Sequence, residues 1–241
     1  VSQTQSQGGT TTDAGGCCGG AKGGGGGCGC GSQATALPAV MTTAELEAVP
    51  LVPLVMRYRR GIEAIDRRVF TLSERQIDTA FLPDAGVGRW PVRVLVGHIA
   101  DADVAQTHRM RRAAAEMNPV LSVWDEDAFV EANLYGNDHE GYADTADGDR
   151  ARVMQALGGD LAVIHTLRQW TGQWVLRGGD AVLERRALHP ERGEVTVRRM
   201  VATMTWHLEH HARFLTRKLD LMLGPAAAEA TAGGSGCRGS A

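Results

Sequence analysis

The stretch that most limits what this chain can become is residues 197–223, "VRRMVATMTWHLEHHARFLTRKLDLML". Val197, Met200, Met204, Leu208 and Leu215 recur at helical spacing, Thr196 is placed to cap the first turn, and Gly224-Pro225 stops the run. A long helix with one apolar face is stable only when that face is buried against partners. The chain supplies three. From Pro53, the residues Leu54, Tyr58, Ile62, Ile65 and Val69 keep the helical period. From Pro91, "PVRVLVGHIADADVAQTHRMRRAAAEM" sets Val94, Leu95, His98, Ile99, Ala102 and Ala105 on one side and ends at Asn118-Pro119. A third run, "DRARVMQALGGDLAVIHTLRQWTGQWVL", carries Val153, Leu157, Leu161, Ile164, Leu167 and Trp170, despite the penalty for Gly158 and Gly159. No convincing alternating strand occurs anywhere. The expected fold is all-α, a four-helix bundle with one long crossover.

Between the long runs, Thr42 and Glu45 make a capping box that Pro50 and Pro53 should interrupt, and Ser73 opens a short turn. In "VLSVWDEDAFVEANLYGNDHEGYADTADGD", Ser122 or Asp125 can cap a short helix holding Phe129 and Val130, after which an acidic, Gly-rich crossover is expected. "RGGDAVLERRALHPERGEV" reads as a turn-rich link. Cys17, Cys18, Cys28 and Cys30 lie in "GGCCGGAKGGGGGCGCG" and Cys237 near the C-terminus, so none can staple the helical part. A thiolate cluster is conceivable there, but a segment with almost nothing apolar cannot bury enough to order itself. The expected organisation is a disordered tail over 1–36, a bundle domain over 37–224 and a second loose tail over 225–241.

With 43% hydrophobic residues and a formal charge of -3, the 241-residue chain has ample core and no electrostatic footprint for nucleic acid or an anionic membrane. No apolar run is long enough to span a bilayer and no signal pattern is evident, although the start at Val1 leaves a processed leader open. A cytoplasmic protein with a small-molecule partner is the expectation.

Histidines carry the chemistry. In "TWHLEHHARFL", His211 falls near the centre of the apolar stripe, His207 at its edge and His210 off it. His207 and His211 are one turn apart, the spacing at which two imidazoles grip one ion, although such a pair alone is a weak signal. His98, on the inward stripe of the second long helix, is the matching third ligand. His108 lies among arginines on a polar face, His139 and His189 stand in loop-like sequence, and His165 reads as a partly buried structural histidine. There is no HExxH, no repeated ExxH and no Cys-x-x-Cys-His, which disfavours a zincin, a carboxylate-bridged diiron centre and a covalent haem. Asp101, one turn after His98, is a candidate base or imidazole-orienting group; Asp103 and Glu209 read as solvated surface acids. Trp90, Trp124 and Trp206 fit either a pocket wall or ordinary core.

"RWPVRVLVGHIADADVAQTHRM", "WDEDAF" and "HPERGEVTVRRMVATMTWHLEHHARFL" together resemble the DinB-like superfamily over about Leu51 to Leu223. The resemblance implies an up-down-down-up bundle and a three-histidine site for a divalent transition metal, zinc or nickel, with His98, His207 and His211 as ligands. Relatives include transferases that use low-molecular-weight thiols and proteins described as metal-dependent hydrolases, often as homodimers. The implied activity is therefore thiol S-transfer to an electrophilic small molecule, with hydrolysis or a non-catalytic metal-binding module as alternatives. The Gly- and Cys-rich N-terminal segment departs from the family pattern.

Overall fold

The computed structural model describes residues 40–136 and 146–226, without the side chains of 146–152. The expectations placed on 1–36, on His139 and on all five cysteines lie outside the described residues, as does nearly all of the expected C-terminal tail.

Helix α1, Thr43–Glu47, begins with the predicted capping box: Thr42 Oγ1 accepts from the Glu45 N–H, and the Glu45 carboxylate accepts from the Thr42 N–H. Helix α2, Leu51–Arg60, starts two residues before Pro53, which falls in the first turn, where a missing N–H costs no helical bond. It does not reach Val69 as the periodicity predicts. The Tyr58 carbonyl accepts from the Gly61 N–H and from the Arg168 side chain of a later helix, and a Cβ on Gly61 would meet that guanidinium at 2.7 Å. From here the chain takes 3-10 geometry over Gly61–Ala64 and again over Arg67–Thr71. Ser73 caps the short α3, Glu74–Ile77, as expected.

Helix α4, Val92–Ala115, follows Pro91 at its cap, and α5, Glu126–Glu131, takes its cap from Asp125 rather than Ser122. Helix α6, Ala146–Leu183, runs past the expected end at Leu176 and is interrupted at Gly179, whose φ of 64° only glycine takes without strain. Trp170, placed on the apolar stripe of this helix by sequence, is 42% exposed and covered by the Arg111 guanidinium 4.4 Å from its ring. His165 is exposed rather than partly buried.

The link before the last helix is not all turn. β1, Arg186–His189, and β2, Gly193–Thr196, pair antiparallel, with His189 opposite Gly193. Strands of four residues are too short for alternation to register in the sequence. Helix α7, Val197–Leu223, is capped by Thr196 Oγ1, which accepts from the Arg199 N–H.

The bundle consists of α2, α4, α6 and α7. Both α2 and α4 pack against α6 and α7, whereas the consecutive α6 and α7 hardly touch and lie diagonally opposed. This is the up-down-down-up arrangement, and it brings α4 against α7. Apolar clusters centred on Tyr58, Met110 and Val201 and on Ile99, Ile164 and Leu208 form its core. Asp103, expected to be solvated, is 1% exposed and forms a two-armed ion pair with the fully buried Arg168, at 2.7 and 3.0 Å. Glu209, also expected at the surface, is paired with Arg57 through both carboxylate oxygens. No helix among the described residues is long and apolar enough to cross a membrane.

Candidate metal centre

Because α4 lies beside α7, the inward stripes of the two helices meet at three histidines. His98 is 0% exposed, His207 8% and His211 2%. His207 Nε2 lies 3.0 Å from His98 Nε2 and 3.1 Å from His211 Nε2. Two nitrogens each about 2.0–2.1 Å from one shared ion are roughly 2.9–3.4 Å apart at right-angled to tetrahedral coordination, and both separations fall in that span. The structure thus brings together the three residues that sequence selected. It leaves His210 out, stacked on Trp206 at 4.6 Å and facing Arg213.

Burial pushes the pKa of His98 down to about 4. His207 and His211 are held well below the usual histidine range, first by burial and then by the other rings of the cluster, with Arg168 adding to the effect at His207 and Lys218 at His211. Neutral imidazoles present lone pairs, which is the form a metal requires. With Nε2 turned inward, Nδ1 carries the proton, and Nδ1 of His98 and of His207 is buried without a protein partner among the described residues. The donor set, three neutral nitrogens, suits a borderline transition ion.

Aromatic rings wall the cluster. Trp124 stacks on His98 at 5.5 Å and is itself met edge-on by Phe129, while Trp90 lies 4.8 Å from His98 and 6.5 Å from His211. The loop bearing Trp90 is tied down by buried Lys218 of α7, whose ammonium donates to the Gly88 carbonyl and sits over the Phe81 ring. Among the described residues, Asp101 bonds no imidazole. Its carboxylate accepts from the Tyr135 hydroxyl at 2.9 Å, and the Tyr135 ring packs on Gly97 so closely that a Cβ there would lie 2.3 Å from it. Burial, reinforced by that carboxylate, raises the Tyr135 pKa, so the hydroxyl stays protonated and donates. The half-buried Asp160 is also raised, by burial and by Asp101. Sequence reasoning missed Tyr135 and Asp160, which lie on other elements, and Lys218, although it stands seven residues after His211 on the same face of α7; the glycine before His98 was the one local sign of a close neighbour.

The sequence model of the DinB superfamily matches residues 35–215. A relative from Oceanobacillus iheyensis is 27% identical over 149 residues, covering 61% of this chain and 73% of its own. YfiT of Bacillus subtilis is 26% identical over 155 residues, covering 63% of this chain and 74% of its own. The names of both assign them, provisionally, as metal-dependent hydrolases. The solved structure of YfiT, described as having an unusual four-helix bundle topology, matches with a TM-score of 0.57 at 18% identity over 77% of this chain and 91% of that one, a likeness of fold.

Proposed function

Because the chain belongs to the DinB superfamily, we propose that it is a metal-dependent enzyme acting on a small molecule, with His98, His207 and His211 holding one divalent transition ion, zinc or nickel. The observation that carries this reading is the convergence of three buried Nε2 atoms, two of the separations being 3.0 and 3.1 Å. Three neutral ligands leave the full charge on the ion, which when bound lets water or a thiol lose its proton near neutral pH.

The chain's own residues supply the setting. Trp90 and Trp124 keep water from two sides of His98, and Tyr135 fixes the Asp101 carboxylate one turn beyond it, where Asp101 is the candidate base. Two nucleophiles are compatible with this site. Water is supported by the names of the relatives. A low-molecular-weight thiol is supported by the aromatic walls and by the absence of any cysteine between residues 40 and 226 that would compete for the ion. The test is elemental analysis of untagged protein followed by two substrate panels, esters and amides without thiol, and a fluorogenic haloalkyl electrophile with cellular thiols. Turnover in either panel that is lost on metal removal and in His211→Ala supports the reading and identifies the nucleophile. Protein that binds no stoichiometric ion overturns it.

A further inference from the structure

A second cluster of polar groups lies along the face of α4 that carries His98. Arg109 is eleven residues further on, which returns it to nearly the same side of the helix about three turns away. Its side chain is 6% exposed. One hydrogen bond is made, to the Ser122 carbonyl, and among the described residues no carboxylate pairs with it. Its other N–H groups donate to no protein acceptor among the described residues and are not sealed from water, so an anion from solution can reach them.

The hairpin completes the site. The β1 strand joins the connection after α4 through Leu121 N–H to Leu188 O and Leu188 N–H to Pro119 O, which sets His189 opposite Leu121, the residue before Ser122. His189 is buried, and its Nδ1 accepts from the Glu191 N–H at 3.2 Å. Its ring proton is therefore on Nε2, a donor with no partner among the described residues. Arg192, in the tight turn between the strands, is exposed and close enough to act on both Arg109 and His189. Burial and the Arg192 cation both push the Arg109 pKa down, and the one acid that opposes them is the exposed Glu191, which forms no ion pair with Arg109.

We propose that Arg109, His189 and Arg192 form a binding site for an oxyanion, the carboxylate or phosphate of a small molecule. Donors on two largely covered side chains, open to solution, and a cation at the rim match the flat or tetrahedral oxygen sets of such groups. The site lies about three turns, roughly 16 Å, along α4 from His98, and one strand of chain joins the two ends: Ser122, whose carbonyl Arg109 holds, and Trp124, which stacks on His98, are two residues apart. If the anion is part of the substrate, which rests on the metal-centre reading, the enzyme selects anionic small molecules and anchors them by the end away from the reacting atoms.

The test is calorimetric titration of the full chain with inorganic phosphate, and separately with acetate, against chloride at equal ionic strength. Saturable binding of one anion per chain is expected, with the better of the two identifying the oxyanion class. Arg109→Gln and Arg192→Ala should each weaken it by about tenfold or more. Arg192 is exposed and, among the described residues, makes no hydrogen bond or ion pair, so its variant remains informative even if Arg109→Gln disturbs the Ser122 contact. Binding should persist in His211→Ala and in protein that holds no metal, so a failed metal reading leaves this result intact. Absence of saturable binding overturns the proposal. So does unchanged affinity in Arg192→Ala, or binding that is lost in His211→Ala, which would put the anion on the ion instead.

Discussion

Protonating His98 places a charge where nothing is exposed to water, and burial alone holds its pKa at about 4. The unfolded chain titrates the same histidine near 6.5, so below that pH it binds more protons than the folded chain. In metal-free protein this contribution to stability is complete above about pH 6.5 and is lost as the pH falls through about 4, with His207 and His211 acting in the same direction. Urea midpoints should be flat near pH 7–8 and fall towards pH 5, and the fall should shrink in His98→Ala. Metal content, measured separately, should be lost on Ala substitution at His98, His207 or His211 and kept in His210→Ala. Asp103 is a different case. Asp103→Ala leaves the buried Arg168 unpaired and should cost about 3–5 kcal/mol in urea unfolding, most of it recovered when Arg168 is also replaced by Met. The three histidines were legible in the sequence because each sits on an apolar stripe that the helical period reveals. Asp103 was not, since the charge that makes it an interior residue lies 65 positions away.

At the scale of elements, the long helices follow from period, caps and stops, and the departures have local causes. Helix α2 ends where the Tyr58 carbonyl and Gly61 meet the Arg168 guanidinium of α6, a contact no pattern within α2 could announce. The hairpin is held by its neighbours as much as by its own pairing, through the carbonyls and amides of Pro119, Leu121 and Leu188. The segment from Trp124 to Tyr135 was read as a short helix and a crossover, and its packing onto α4 rests on Gly97 having no side chain. Gly97→Ala should displace Tyr135, lower the thermal midpoint and alter tryptophan emission through Trp124. Tyr135→Phe keeps the ring in place and gives up only the bond to Asp101, for which a loss of about 1 kcal/mol is expected.

For the molecule as a whole, the composition of residues 1–36 predicts that their deletion leaves helicity and the thermal midpoint essentially unchanged, which circular dichroism on the truncated chain checks. The diagonal placement of α6 and α7 has a further consequence, in the kinetics of folding. His98 and His207 meet across 109 positions of chain, so the site closes a long loop and can form only after α4 has met α7. An ion that binds there stabilises the finished bundle and offers little to the states that precede it. Bound metal should therefore slow unfolding in a denaturant chevron and leave the folding limb where it was, making the ion a determinant of how long the native state lasts and not of how quickly it is reached.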